Sequence, residues 1–495
     1  MHPRLRAVCD VTVSGVREMA GLHEYDGQIQ DLSPDGVRAG LARLGGDRLD
    51  DPHDEAHLRA FEDGLRVAFG ELELHRRDPL VHLENLELAC YDREYAPERD
   101  RADARRRHLA AWPDAVDMAV AALDAVSAPT AQALLGAVQG LRSGVEDAEA
   151  LAAHERLVTH LERAARDGDP DPSLGGDRLA RLMGVSEALD VDLGRLAERA
   201  DTERGRLQAL LAEACARIDP ERTPAELIPE LLGDHPDIDG VIDEARRQTD
   251  EVIAFTRERE LAPHLDGVCL VGPAPESRRW AMAMMCPSAP GEPDAASWYR
   301  VTPPDPSWPG EEVEEWLSMF SRTTLPAVTV HEVAPGHFAH ARALRHVASP
   351  VRRVLFSMAF AEGWAHYIEE VCLDEGFRAD DPRFAVGVCI EALVRVTRLS
   401  CAIGLHTGAM TVGEATRRFQ DHAYLARAAA ASEARRGTFD ATYGRYTWGK
   451  LVIGDLREAA RARWDGGFSL QRFHAALLDL GSPPLGLTRA ALERG

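Results

Sequence analysis

The chain has 495 residues, with 57 Lys and Arg against 82 Asp and Glu and a formal net charge of -25. A surface that acidic repels phosphate backbones and anionic lipid, which argues against nucleic acid and against a membrane as partners. The length allows more than one core or a single large helical architecture, and no stretch is apolar for long enough to cross a bilayer.

The pattern from about Arg4 to Arg259 is mostly helical. Gly21–Pro34 (GLHEYDGQIQDLSP) is a turn-rich exception. Ala104–Val126 carries apolar residues three and four apart, interrupted at Pro113. Ala131–Arg142, Ala148–Ala165, Arg178–Ala188, Leu193–Ile218 and Ile238–Arg259 read the same way. The cluster DGDPDPSLGG (Asp167–Gly176) and the Asp219–Pro220 step punctuate them, and no fixed-period repeat indicates a solenoid.

Near Leu261 the character changes. GVCLVG (Gly267–Gly272), WAMAMM (Trp280–Met285) and SWYRV (Ser297–Val301) are short runs bounded by Gly and Pro, predicting a small antiparallel sheet. Helix returns over Glu311–Leu325, Pro326 breaks it, and the remaining chain is helical. The class expected is mainly α. Residues 1–260 form a helical region and residues 261–495 a catalytic region with the sheet, together one continuous fold.

The chemistry concentrates in TVHEVAPGHFAH (Thr329–His340) and AEGWAHYIEE (Ala361–Glu370). Two imidazoles and a carboxylate are a common ligand set for zinc with a position left for water, and a further carboxylate can act as base on that water. The usual pair lies at i and i+4 of one helix. Here the second His is at i+6, roughly 240° round a regular helix, so His331 and His337 could not converge on one. Pro335 and Gly336 offer the remedy, a bulged or broken turn over Ala334–Gly336 that swings His337 back. His340 and His346 sit among Ala, Arg and Leu and read as solvated or supporting side chains. In the second stretch, Glu362 lies in an apolar helical run beside Phe360 and Trp364, where an unpaired carboxylate is costly and coordination would supply its partner. Glu369, two turns on, suits the outer side of a His ligand or an ordinary exposed face. His366 is a replacement ligand.

HEVAPGH followed by EGWAHYIEE resembles the DUF885 family, whose pattern is HExxPGH then EGWAxYxE. GLHEYDGQIQDLSP, RLSCAIGLH (Arg398–His406), YTWGKLVIGDLR (Tyr446–Arg457) and FHAALLDLGSPPL (Phe473–Leu485) are similar to further elements of that family, so the resemblance covers nearly the whole chain. The family's fold is similar to those of the M32 carboxypeptidases and M3 oligopeptidases, large helical zinc peptidases with a long cleft. The resemblance implies that His331, His337 and Glu362 bind zinc, that Glu332 is the general base, and that Tyr446 donates to the oxyanion. The chain departs from the family at Ala402, where the pattern has Asp, and at Asp440–Thr442, where it has PGQ; both bear on the substrate pocket rather than on the metal set.

The function expected is a zinc-dependent hydrolase, a metallopeptidase acting on a peptide or small amide. The alternatives are a non-catalytic metal-binding or scaffolding protein of the same fold, and a hydrolase of a non-peptide amide. Affinity alone leaves another divalent ion open. Arg398 or Arg435 could clamp a substrate carboxylate, and His406 could donate into the cleft. Eight scattered cysteines without a CxxC pair, and an N-terminus without the apolar run of a signal peptide, predict a cytoplasmic chain; a homodimer is left open.

Overall fold

The computed structural model describes residues 1–279, 281–292 and 294–494. The fold is mainly α with one small sheet. Leu193–Ile218 is helical over the expected residues, and Ile238–Glu258 ends one residue before the expected limit. The Pro113 interruption separates two helices, Glu98–Ala110 and Trp112–Ala122, with the proline in the first turn of the second, where its missing N–H leaves no bond unmade. Pro326 behaves likewise. It does not close a helix over Glu311–Leu325; that stretch is a helix over Gly310–Leu317 and a 3-10 turn, and Pro326 lies in the first turn of the next helix.

The strands are β1 (Cys269–Pro273), β2 (Ala283–Cys286) and β3 (Ser297–Val301), in the order β1-β3-β2. Trp280, at the start of the second expected strand, lies outside the described residues. The sheet is mixed, not antiparallel: β3 pairs antiparallel with β2 and parallel with β1. After β1 the chain reverses into β2 on the far edge, then reverses again into the slot between them. Two reversals restore the original direction, and residue alternation carries no record of direction.

The largest apolar cluster takes in residues from Leu179 to Leu492, so both sides of the 260/261 position share one core. Two smaller clusters lie over Leu83–Leu161 and over Leu5–Leu65, the latter closed by Val351 and Leu355. Two helices organise the main core around the site. The Glu362 helix (Met358–Asp374) starts at Ser357, whose hydroxyl accepts from the Phe360 N–H at 3.0 Å. The Tyr446 helix (Arg445–Trp464) crosses it at Gly363 and Gly449, where a Cβ on Gly363 would lie 2.5 Å from the Gly449 backbone. Only glycine permits that approach, which brings Glu362 and Tyr446 to one side of the crossing.

Candidate metal centre

The first motif is two helices rather than one. The His331 helix (Leu325–Glu332) is buried all round and stops at Val333; the His337 helix (His337–Leu344) starts after Gly336. The Ala334–Pro335 peptide is cis. A Cβ on Gly336 would overlap the His331 and Val330 carbonyl oxygens, so the residue at the break must be glycine. The Trp364 indole N–H donates to the Pro335 carbonyl at 2.9 Å, tying the break to the Glu362 helix.

This arrangement overcomes the i+6 spacing. His331 and His337 meet edge to face, with centroids 4.7 Å apart. Glu362 Oε2 lies 3.4 Å from His331 Nε2 and 3.2 Å from His337 Nε2. One ligand atom from each of the three lies within 4.8 Å of the others. Two imidazole nitrogens and a carboxylate oxygen converging so closely suit zinc or a similar divalent cation. His337 is the most open of the three at 17% side-chain exposure.

Glu369 fixes the tautomer of His331. Its Oε1 accepts from the Nδ1–H at 2.6 Å, leaving Nε2 to face the cluster, while its Oε2 accepts from Arg395 at 3.0 Å. Burial alone would raise the Glu369 carboxyl, but Arg395 and His331 hold it well below the usual range. Burial and Arg395 oppose charge on His331, yet Glu362 and Glu369 bring it to about 9. Burial would likewise raise Glu362, and the two imidazoles hold it down instead. Glu332 goes the other way. It is buried, its Oε2 has no protein partner, and burial pushes its carboxyl up. A carboxylate with an uncommitted oxygen beside such a cluster is suited to holding and passing a proton.

Tyr446 stacks on His331 with centroids 6.2 Å apart, and its hydroxyl accepts from Arg436 at 3.3 Å. The remaining expected residues lie apart from the ligand cluster. His366 stands outside the converging set: it is buried one turn beyond Glu362, with Nδ1 3.6 Å from Glu369 and its pKa pressed by burial to about 4. His406 does not donate into a cleft, because its Nε2 pairs with the Gly437 carbonyl at 2.8 Å. Arg398 is taken up bidentately by Glu433, with both contacts at 2.7 Å, so its fork is not open to a substrate carboxylate. Arg435 is exposed at the end of helix Arg427–Arg436. His340 pairs with the Gly481 carbonyl, and His346 stacks on His264.

The sequence reading missed Arg395, Arg436 and the Trp364–Pro335 bond. Arg395 was within reach of the argument used for Glu362: with Glu391 it interrupts an apolar helical run, and the two lie 3.5 Å apart one turn along it. The departures are packed features. Ala402 is fully buried, and Asp440 holds both Arg436 at 3.0 Å and Arg445 at 2.7 Å.

The family model described as "Bacterial protein of unknown function (DUF885)" matches residues 15–492. The chain belongs to the DUF885 family. No curated protein matches it. Among solved structures, the DUF885 chain is similar to a "putative lipoprotein of unknown function" from Shewanella oneidensis, at 21% identity and a TM-score of 0.75 with 98% of each chain covered. It is similar also to a "putative lipoprotein" from Colwellia psychrerythraea, at 17% identity and a TM-score of 0.78, covering 99% of this chain and 97% of that one. These neighbours share the fold over essentially the whole length. Their description as putative lipoproteins overturns the cytoplasmic location expected from the cysteines and N-terminus. Six of the eight free thiols are buried, and a buried thiol behaves as a small apolar side chain whatever the compartment. Among the described residues no helix is long and apolar enough to cross a membrane.

Proposed function

We propose that this DUF885 member is a zinc-dependent hydrolase, a metallopeptidase that cleaves amide bonds in peptides or small amides. The convergence of His331, His337 and Glu362, with Glu332 beside them and one of its oxygens uncommitted, carries this reading. A bound zinc, or another divalent ion, would supply Lewis acidity to water and to the scissile carbonyl. Glu332 takes a proton from the attacking water and returns it to the leaving amine. Tyr446 donates a hydrogen bond from its phenol O–H to the oxygen that becomes negative. Glu369 and Arg395 keep His331 in the tautomer that presents Nε2. The substrate lies extended against an edge of the sheet, where backbone hydrogen bonds can hold it without selecting its side chains.

The test is a panel of blocked and free peptides, assayed before and after chelation and zinc re-addition. Hydrolysis that is lost on chelation, restored by zinc and absent in Glu332→Gln supports the reading. Cleavage at the wild-type rate by Glu332→Gln would overturn the assignment of the base. Cleavage confined to free C-termini would define a carboxypeptidase.

A further inference from the structure

We propose that Arg436 is a positioning residue for the Tyr446 phenol, accepted by its oxygen so that the hydroxyl proton is left for the reacting carbonyl. The inference rests on the reading of Tyr446 as an oxyanion donor and adds the group that aims it. A guanidinium has only N–H groups and can only donate, whereas a phenol can both accept and donate. The 3.3 Å contact from Arg436 Nη2 therefore uses the phenol as an acceptor and leaves its O–H for another partner. The other charged neighbours leave that arrangement in place. Arg398 lies over the ring at 4.9 Å from its centroid and Arg395 at 6.0 Å, and each is anchored by its own carboxylate, Glu433 and Glu369 respectively. His331 flanks the ring, so the phenol sits beside the ligand cluster.

Arg436 is itself held. Asp440 accepts from it at 3.0 Å and from Arg445 at 2.7 Å. The Asp440 pairing fixes the guanidinium at the end of helix Arg427–Arg436, nine residues before the start of the Tyr446 helix at Arg445. A guanidinium serving Asp440 alone would need no contact with the phenol, and the hydrogen bond is what the positioning role requires.

The experiment uses the full chain with 13Cζ-labelled tyrosine. Eight tyrosines give a tractable spectrum, and Tyr446→Phe identifies the signal. In Arg436→Met, with Asp440 still paired to Arg445, the Tyr446 resonance should move while the others stay, and Arg436→Lys, which keeps a donor, should restore it. Arg436→Gln, polar but too short to reach the phenol, serves if the Met variant does not fold. In the zinc-loaded enzyme, kcat of Arg436→Met should fall on the order of tenfold with KM little changed, with no further loss in a Tyr446→Phe background. A Tyr446 resonance unmoved in the neutral variants, or a full additional loss in the Tyr446→Phe background, would overturn the proposal. If the wild type hydrolyses nothing, the hydrolase reading fails, and the resonance still decides the Arg436 contact.

Discussion

Glu369 and Glu332 are both buried carboxylates within reach of His331, and their surroundings drive them apart. Glu369 is saturated by His331 and Arg395 and held ionised, whereas Glu332 keeps an oxygen without a protein partner and is pushed up by burial. Divergence of that kind separates a group that orients from one that moves protons. Replacing Glu369 by Ala should weaken zinc affinity about 10- to 100-fold, measured by competition with a chromophoric chelator. Unchanged affinity would mean that the His331 contact does not support the ligand. Glu332→Gln should retain the metal while turnover falls about 10²- to 10⁴-fold. At this scale the converging residues were legible, since residue type and motif name His331, His337 and Glu362. The fates of His406 and Arg398 were not, because their partners, the Gly437 carbonyl and Glu433, stand 31 and 35 residues away in sequence.

At the scale of elements, the site depends on two places where a side chain cannot be accommodated. The first is the break between the His331 and His337 helices. Gly336→Ala should force the break open, destabilise the chain by about 2 kcal/mol or more in urea unfolding, and abolish zinc binding. A fully stable, zinc-binding Gly336→Ala protein would mean that the close approach of Gly336 to the preceding turn is dispensable. The second is the Gly363–Gly449 crossing, where added methyl groups would separate Glu362 from Tyr446. The helix break was readable from Pro335 and Gly336 alone, because both act on the local backbone. The crossing was not, since each glycine looks like an ordinary weak spot in a helix until the partner helix is seen. The direction of the strands escaped for a similar reason, being fixed by the path between them and not by their residues.

For the whole molecule, burial of many imidazoles in one large core gives stability a pH dependence. Burial presses His57, His108 and His340 to about 3 and His82, His366 and His474 to about 4. Unfolded, each titrates near 6.5. Below that pH the unfolded chain takes up protons that the folded chain refuses, so their contribution is complete above about 6.5 and is lost as pH falls toward 4. Asp78, Glu84 and Glu187, raised by burial to about 7, and Asp92, Glu332, Asp374 and Glu391, also raised by burial, act in the opposite sense, but burial lowers His53, His75, His264, His406 and His422 as well, so the imidazoles outnumber the carboxyls. The midpoint of thermal unfolding should therefore drop on the order of 5 °C between pH 7 and pH 5 in calorimetry. A midpoint that rises would contradict this account of the core. Apolar residues three and four apart foretold the mainly α class, but location lay beyond the sequence, because buried free thiols do not record a compartment.

The most direct test is the metal content of the purified chain after incubation with zinc and removal of the excess. One zinc per chain in the wild type, and none in His331→Ala, His337→Ala and Glu362→Ala variants that remain folded, is the expected result. A wild type that holds no zinc, or folded variants that each still hold one, would contradict the assignment of this cluster as a metal centre.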